Sequence, residues 1–109
     1  MNFEEYQQKS KTTALYPNVG KNFIYPTLGL ASEAGEVAGK VKKIMRDDSG
    51  VVSDEKREDI KSELGDVLWY VSQCATEFGL SLDDIAQANI EKLFSRKDRG
   101  VLGGSGDGR

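Results

Sequence analysis

The sequence predicts an all-α fold, a four-helix bundle followed by a glycine-rich C-terminal tail. Two observations support this. Apolar residues recur every three or four positions through the long middle segments, which is the helical period. Capping and turn residues punctuate the intervals between them. Strand signals are weak throughout, and no solenoid repeat is visible. A chain of 109 residues allows one domain, expected over 1–99, with residues 100–109 as the tail.

The first element is a short amphipathic helix over about 3–14, with Phe3, Tyr6 and Ala14 as apolar points. Both prolines lie in LYPNVGKNFIYP, residues 15–26, which reads as a loop anchored by Tyr16, Phe23 and Tyr25. A second helix is expected over about 27–47, with Thr27 as its N-cap. Its buried stripe is Leu30, Ala34, Val37, Val41 and Ile44. Gly50 can supply a positive φ in the polar turn that follows. A third helix runs from an Asp54 cap to about Phe78, with Ile60, Leu64, Val67, Leu68, Val71 and Ala75 inward. Gly79 fits its stop. Ser81 and Asp84 form an approximate capping box for a fourth helix over about 82–97. Its inward candidates are Leu82, Ile85, Ala86, Asn89, Ile90, Leu93 and Phe94.

Composition narrows the function classes. The net charge of −3 argues against a nucleic-acid binder. No stretch is long and apolar enough for a membrane span. The start MNFEEYQQKS has no basic stretch leading into an apolar run, so no signal peptide is expected. A single cysteine, Cys74, fits a reducing cytoplasm and reads as a small core residue. The chain has no histidine, which removes Ser-His-Asp and Cys-His chemistry within one chain. Any metal must be held by oxygen.

Oxygen ligands are present in a pattern. SEAGEV places Glu33 and Glu36 three apart, and ELGD places Glu63 and Asp66 three apart on the next helix. Positions i and i+3 lie about 60° apart around a helix, so each pair shares a face. Both pairs border the buried stripe. If the two helices pack antiparallel, the pairs meet across the seam. Four carboxylates crowded together repel, and a divalent cation relieves that conflict. Such a ligand set suits Mg²⁺, Mn²⁺ or Ca²⁺. The same acids also fit a solvated face paired with Lys40, Lys42, Lys43 and Lys61. Spacing alone does not choose between these.

GLASEAGEVAGKVKKIMRD, then ELGDVLWYV, then NIEKLFSRKDRG resemble the MazG-type all-α nucleoside triphosphate pyrophosphohydrolases. The resemblance covers about residues 12–109. The family pattern is E-E-x-x-E followed by E-x-x-D, and Ser32 stands in place of the leading Glu. The resemblance implies that Glu33, Glu36, Glu63 and Asp66 bind Mg²⁺, with Mn²⁺ as a substitute. It implies cleavage of a (d)NTP between the α and β phosphates, giving the monophosphate and pyrophosphate. Glu33 and Glu36 are the candidate catalytic bases.

Lys43, Tyr70, Asn89, Lys92 and Arg96 are the candidate substrate-binding residues. Lys43 lies two turns beyond Glu36 on nearly the same face. Tyr70 follows Asp66 by one turn and can stack on a base. Asn89, Lys92 and Arg96 step along the fourth helix toward phosphate, although a basic last turn also complements the helix dipole. Trp69 reads as packing, and Tyr16 and Tyr25 as loop anchors. The tail would cradle phosphate through its N–H groups, aided by Arg99 or Arg109, or simply end the chain. A thin wall in so small a domain favours a homodimer or a dimer of dimers. The alternatives are a catalytically silent nucleotide-binding module, with Ser32 marking the loss, and a metal-free structural bundle.

Overall fold

The computed structural model describes residues 1–109, and the architecture is all-helical. The helices are α1 (Phe3–Lys11), α2 (Ile24–Asp47), α3 (Asp54–Glu77) and α4 (Leu82–Asp98). α2 and α3, each of 24 residues, form the main pair. Each is about 36 Å long at 1.5 Å per residue. The link 48–53 is too short to return the chain that distance, since six extended residues reach about 20 Å. The pair is therefore antiparallel, as the sequence suggests. α1 packs on α3, and α4 packs on α1 and α3 but not on α2.

Helix ends differ from the sequence reading where local chemistry has options. α1 stops at Lys11, short of residue 14, because Thr12 and Thr13 turn their hydroxyls back onto Lys9 O and Ser10 O. α2 begins at Ile24, three residues before the expected Thr27 cap. Pro26 falls inside the first turn, where a missing N–H is harmless. Asn22 Oδ1 accepts from Tyr25 N at 3.1 Å, so Asn22 does the capping. Thr27 instead donates to Phe23 O at 2.7 Å. α3 is capped by Ser53, not Asp54: Ser53 Oγ accepts from Lys56 N at 3.1 Å. Ser81 caps α4 as expected, accepting from Asp84 N at 3.2 Å. Gly79 ends α3 at φ +69°, and Leu80 N closes onto Ala75 O at 2.7 Å. The α2–α3 turn has two positive-φ residues, Gly50 as expected and Ser49.

The α1–α3 seam is polar. Ser10 Oγ donates to Gln7 O, so its remaining lone pairs must accept from Gln73 Nε2 at 3.0 Å and from Ser72 Oγ at 2.9 Å. Ser72 and Gln73 are fully buried, and each polar atom is satisfied. Such a network admits one register only, because any slip strands a buried donor. Gln7 locks the other end. Its Nε2 reaches Thr76 Oγ1 and Leu80 O, while its Oε1 accepts from Leu82 N at 2.8 Å. One side chain thereby fixes α1, the end of α3 and the start of α4.

The interior is thin. Only 10 of 109 residues are buried, so much of the expected core faces outward. Of the α2 stripe, only Ile44 is buried. Val41, Leu64, Ile85, Ile90 and Phe94 are exposed. Cys74 is half-buried beside Thr27, not a core residue. The radius of gyration is 16.7 Å, against about 13 Å for a compact chain of this length. The helical stripes are real, but a single chain does not cover them all.

Candidate metal centre

α2 delivers Glu33 and α3 delivers Glu63 and Asp66 to one place. One carboxylate oxygen of each lies within 4.8 Å of the other two. Glu33 and Glu63 are half-buried, and Asp66 is exposed. This convergence follows from the antiparallel pair with an acid at the edge of each stripe. Burial pushes the Glu33 carboxyl up from its ordinary value, and the nearby Asp66, Glu63 and Glu36 push it the same way. Glu36 is thus close enough to be felt, yet it stays outside the three-acid group and is exposed. The four acids do not all converge as the sequence suggests.

The donor set decides what fits. The three side chains offer only oxygen, and neither histidine nor cysteine joins the group to select a softer metal. Burial is the larger push on Glu33, and the repulsion of its neighbours, which adds to it, is what a hard divalent cation relieves. The residues therefore fit a hard divalent cation.

An open cleft of about 240 Å³ adjoins the acids, lined by Glu33, Asp66, Trp69 and Tyr70. Trp69 and Tyr70 meet edge to face, with ring centroids 5.0 Å apart. Trp69 is pinned from behind, since Nε1 donates to Thr13 Oγ1 at 2.8 Å. It packs, as expected, and also walls the cleft. Tyr70 rests on the bare backbone of Gly29, where a Cβ would sit 2.1 Å from its Cε1. Burial raises the Tyr70 phenol, and Tyr25, Glu33 and Asp66 raise it further.

The loop is anchored, as its aromatics suggest. Tyr16 is buried and stacks on Tyr25 at 5.0 Å with 12° between planes. Glu77 holds the loop: Tyr16 Oη donates at 2.7 Å, Gly20 N at 2.8 Å and Asn22 N at 3.3 Å. Burial, the strongest influence on Glu77, pushes its carboxyl up. The three donors outweigh it and hold the group below its ordinary value.

Of the other sequence candidates, Tyr70 joins the acids directly. Lys43 remains exposed on α2. Asn89, Lys92 and Arg96 lie on α4, which does not pack on α2. Asn89 is exposed, while Lys92 and Arg96 both bind the carboxylate of Asp107. Two neighbours of the site escaped the sequence reading. Burial and then the charge of Asp66 raise the Tyr6 phenol, which places α1 within reach of the acids. Gly29 seats Tyr70. Tyr6 reads in the sequence as one more apolar point on a short helix, and Gly29 opens the stretch that carries the resemblance without marking a contact of its own.

These features define a class: a small all-helical domain with an oxygen-only acidic cluster from two antiparallel helices. The chain belongs to the MazG nucleotide pyrophosphohydrolase family, whose domain matches residues 26–101. Its relatives include the "Gene 37 protein" of Mycobacterium phage L5, 49% identical over the full length of both chains. The "Uncharacterized protein YvdC" of Bacillus subtilis (strain 168) is 31% identical, over 85% of this chain and 87% of its own. No solved structure gives a significant match. No helix is long and apolar enough to cross a membrane.

Proposed function

We propose that the protein is a Mg²⁺-dependent hydrolase of nucleoside triphosphates, active in the cytoplasm in nucleotide-pool housekeeping. It cleaves a (d)NTP between the α and β phosphates and releases the monophosphate and pyrophosphate. One observation carries this reading: both acidic elements of a MazG-family chain converge, through Glu33, Glu63 and Asp66, beside an aromatic cleft. These three carboxylates hold the cation, with Mn²⁺ as a substitute. When bound, the cation neutralises triphosphate charge and makes water more acidic.

The residues divide the remaining work. Glu36 is exposed and lies outside the cluster, so its carboxylate is free to take the proton of the attacking water. The water oxygen bonds to the α phosphorus while the bridge to the β phosphate breaks. Tyr70, braced by Gly29 and Trp69, offers its ring to the base. Lys43, Asn89, Lys92 and Arg96 are the donors toward sugar and phosphate.

A second copy completes the site. The chain exposes 7688 Å², against about 6,000 Å² for a compact monomer of its mass. The excess of about 1,700 Å² per chain matches the larger interfaces of obligate homodimers. Leu28, Met45, Leu64 and Phe94, each more than half exposed, mark the uncovered stripes. A homodimer, or a tetramer built from two, would cover them and bring α4 to the acids.

Incubating the protein with a panel of NTPs and dNTPs and Mg²⁺ tests the proposal. Monophosphate and pyrophosphate should form in equal amounts, and Glu36→Gln should abolish turnover without unfolding the chain. Orthophosphate as the product would refute the cleavage position. Ser32, where the family carries Glu, favours one alternative: a silent nucleotide-binding module. Metal-dependent binding with no turnover across the panel would establish that reading instead.

A further inference from the structure

The tail does not trail off the end of α4. Gly100 and Gly106 adopt positive φ and turn it back. Val101 N bonds to Arg96 O at 2.9 Å, and Gly104 N to Val101 O at 3.2 Å. Arg109 closes the loop, with its guanidinium donating to the carbonyls of Val101, Leu102 and Gly106. This fold delivers Asp107 to two cations of α4. Its Oδ1 accepts from Lys92 Nζ at 2.9 Å and from Arg96 Nη2 at 3.0 Å. Its backbone carbonyl accepts from Arg96 as well. Arg96 is only 4% exposed, although it sits in the last turn of a surface helix. The tail covers it.

A lone carboxylate shared by two cations neutralises half their charge. The Asp107 side chain is itself 83% exposed, so its bonds compete with water on every open side. Lys92 and a forked Arg one turn apart suit a phosphate better than a carboxylate, because phosphate offers more oxygens and more charge. On its open Lys92 side the ion pair contributes little to stability. Its hold comes from the tether, which keeps the carboxylate at a high effective concentration.

We propose that Asp107 is a built-in competitor for the phosphate site of Lys92 and Arg96. The tail is a latch that a bound oligophosphate displaces. This rests on the reading of Lys92 and Arg96 as phosphate-binding residues. The anion enters, Asp107 leaves, and the segment 101–109 comes off α4. The latch lowers apparent affinity for any anion that needs both cations, by the fraction of chains in which it is open. It favours ligands carrying several phosphates over single carboxylates or monophosphates, which restrains re-binding of the monophosphate product.

Tripolyphosphate is the probe, since it carries the charge without a nucleoside. Its affinity for the full-length chain is measured by calorimetry. Amide NMR signals of Gly103, Gly104, Gly106 and Gly108 report the tail. Asp107→Asn and Arg109→Ala should each bind tripolyphosphate about three- to tenfold more tightly. Asp98→Asn, which makes the same charge change without touching the pair, should not. In the wild-type chain, tripolyphosphate should move the tail glycine signals to the positions seen in Asp107→Asn. Thermal melting confirms that each variant folds. Binding with unmoved tail signals would overturn the proposal, as would equal affinities in Asp107→Asn and Asp98→Asn. So would absence of tripolyphosphate binding in every variant. A chain that releases its tail yet makes no pyrophosphate from any nucleotide would fail only the enzymatic reading. One that turns over nucleotide with its tail in place would fail only the latch.

Discussion

Gly29→Ala tests how the aromatic wall is seated. A Cβ at this position would lie 2.1 Å from Tyr70 Cε1 and 2.5 Å from both Cδ1 and Cζ. Ordinary carbon contacts need about 3.5–4.0 Å, so the ring must retreat by more than 1 Å. Two effects oppose each other. Alanine in a helix interior gains about 1 kcal/mol over glycine. Overpacking costs about 1–3 kcal/mol. The net change should therefore run from about zero to a loss of 2 kcal/mol. Gly39→Ala in the same helix is the control, because a Cβ there meets nothing within 4 Å. It should show the gain alone. Urea unfolding at one fixed chain concentration should separate the two variants by about 0.7–3 M in midpoint, taking a slope near 1–1.5 kcal/mol/M. Nucleotide affinity gives the second readout: Gly29→Ala should raise KM, since Tyr70 leaves the cleft wall, while Gly39→Ala should not. Combining Gly29→Ala with Tyr70→Leu removes the clash, so the stability effects should be non-additive. If Gly29→Ala stabilised as much as Gly39→Ala and left KM unchanged, the seating argument would be wrong.

Other consequences are accessible to simple measurements. Glu77→Gln should lose about 1–3 kcal/mol at neutral pH, because the loop 16–22 loses charged hydrogen bonds. The Glu77 carboxyl is held below its ordinary value in the fold, so its stabilisation is present above the ordinary carboxylate range. That contribution fades as pH falls below the ordinary carboxylate value and is gone below the lowered one, so melting curves of wild type and variant should draw together across that interval. Gln7→Ala should cost about 1–3 kcal/mol and speed hydrogen exchange at the Leu82 amide, which loses its acceptor. A similar loss without faster exchange at Leu82 would contradict the clamp. Mg²⁺ should raise the melting temperature of the wild-type chain but not of Asp66→Asn. With metal removed by EDTA, Asp66→Asn should melt no lower than wild type, because the carboxylates it relieves repel one another.

The parts of this structure legible in the sequence were those governed by local rules. Four helices, the Ser81 cap, the Gly79 stop and the positive φ at Gly50 follow from residue chemistry within a turn. The pairing of Glu33 with Glu63 and Asp66 followed from two short-range facts, the i,i+3 spacing and a short link between long helices. The misses lie where several local solutions compete. The sequence points to Thr27 as the cap of α2, yet the helix starts at Ile24, and Asn22 accepts from Tyr25 N in its first turn. Burial was overestimated because periodicity identifies an apolar face without identifying what covers it. Val41, Leu64 and Phe94 have the right spacing and are about half exposed in this chain. Glu36 shares the face of Glu33, yet one turn along a helix is enough to leave the cluster.

The helices that carry the acids and the bases lead to a sharper test of the dimer. Glu33 sits on α2 and Glu63 and Asp66 on α3, whereas Lys92 and Arg96 sit on α4, which meets α3 but not α2 within the chain. If each site takes acids from one copy and bases from the other, two dead variants can rescue each other. On the proposed reading, Asp66→Asn would lack a cation ligand and Lys92→Ala a phosphate donor. In a mixed dimer one site inherits both defects and the other inherits neither. An equal mixture that exchanges subunits freely contains mixed dimers as half its population, so activity should return to about a quarter of wild type. Sites built within one copy would stay dead in every pairing, because each would keep its own defect. Co-refolding the two variants and measuring pyrophosphate release distinguishes these arrangements. Full subunit exchange without recovery would place α4 and the acids of the same chain in one site, and the open shape of the monomer would need another explanation.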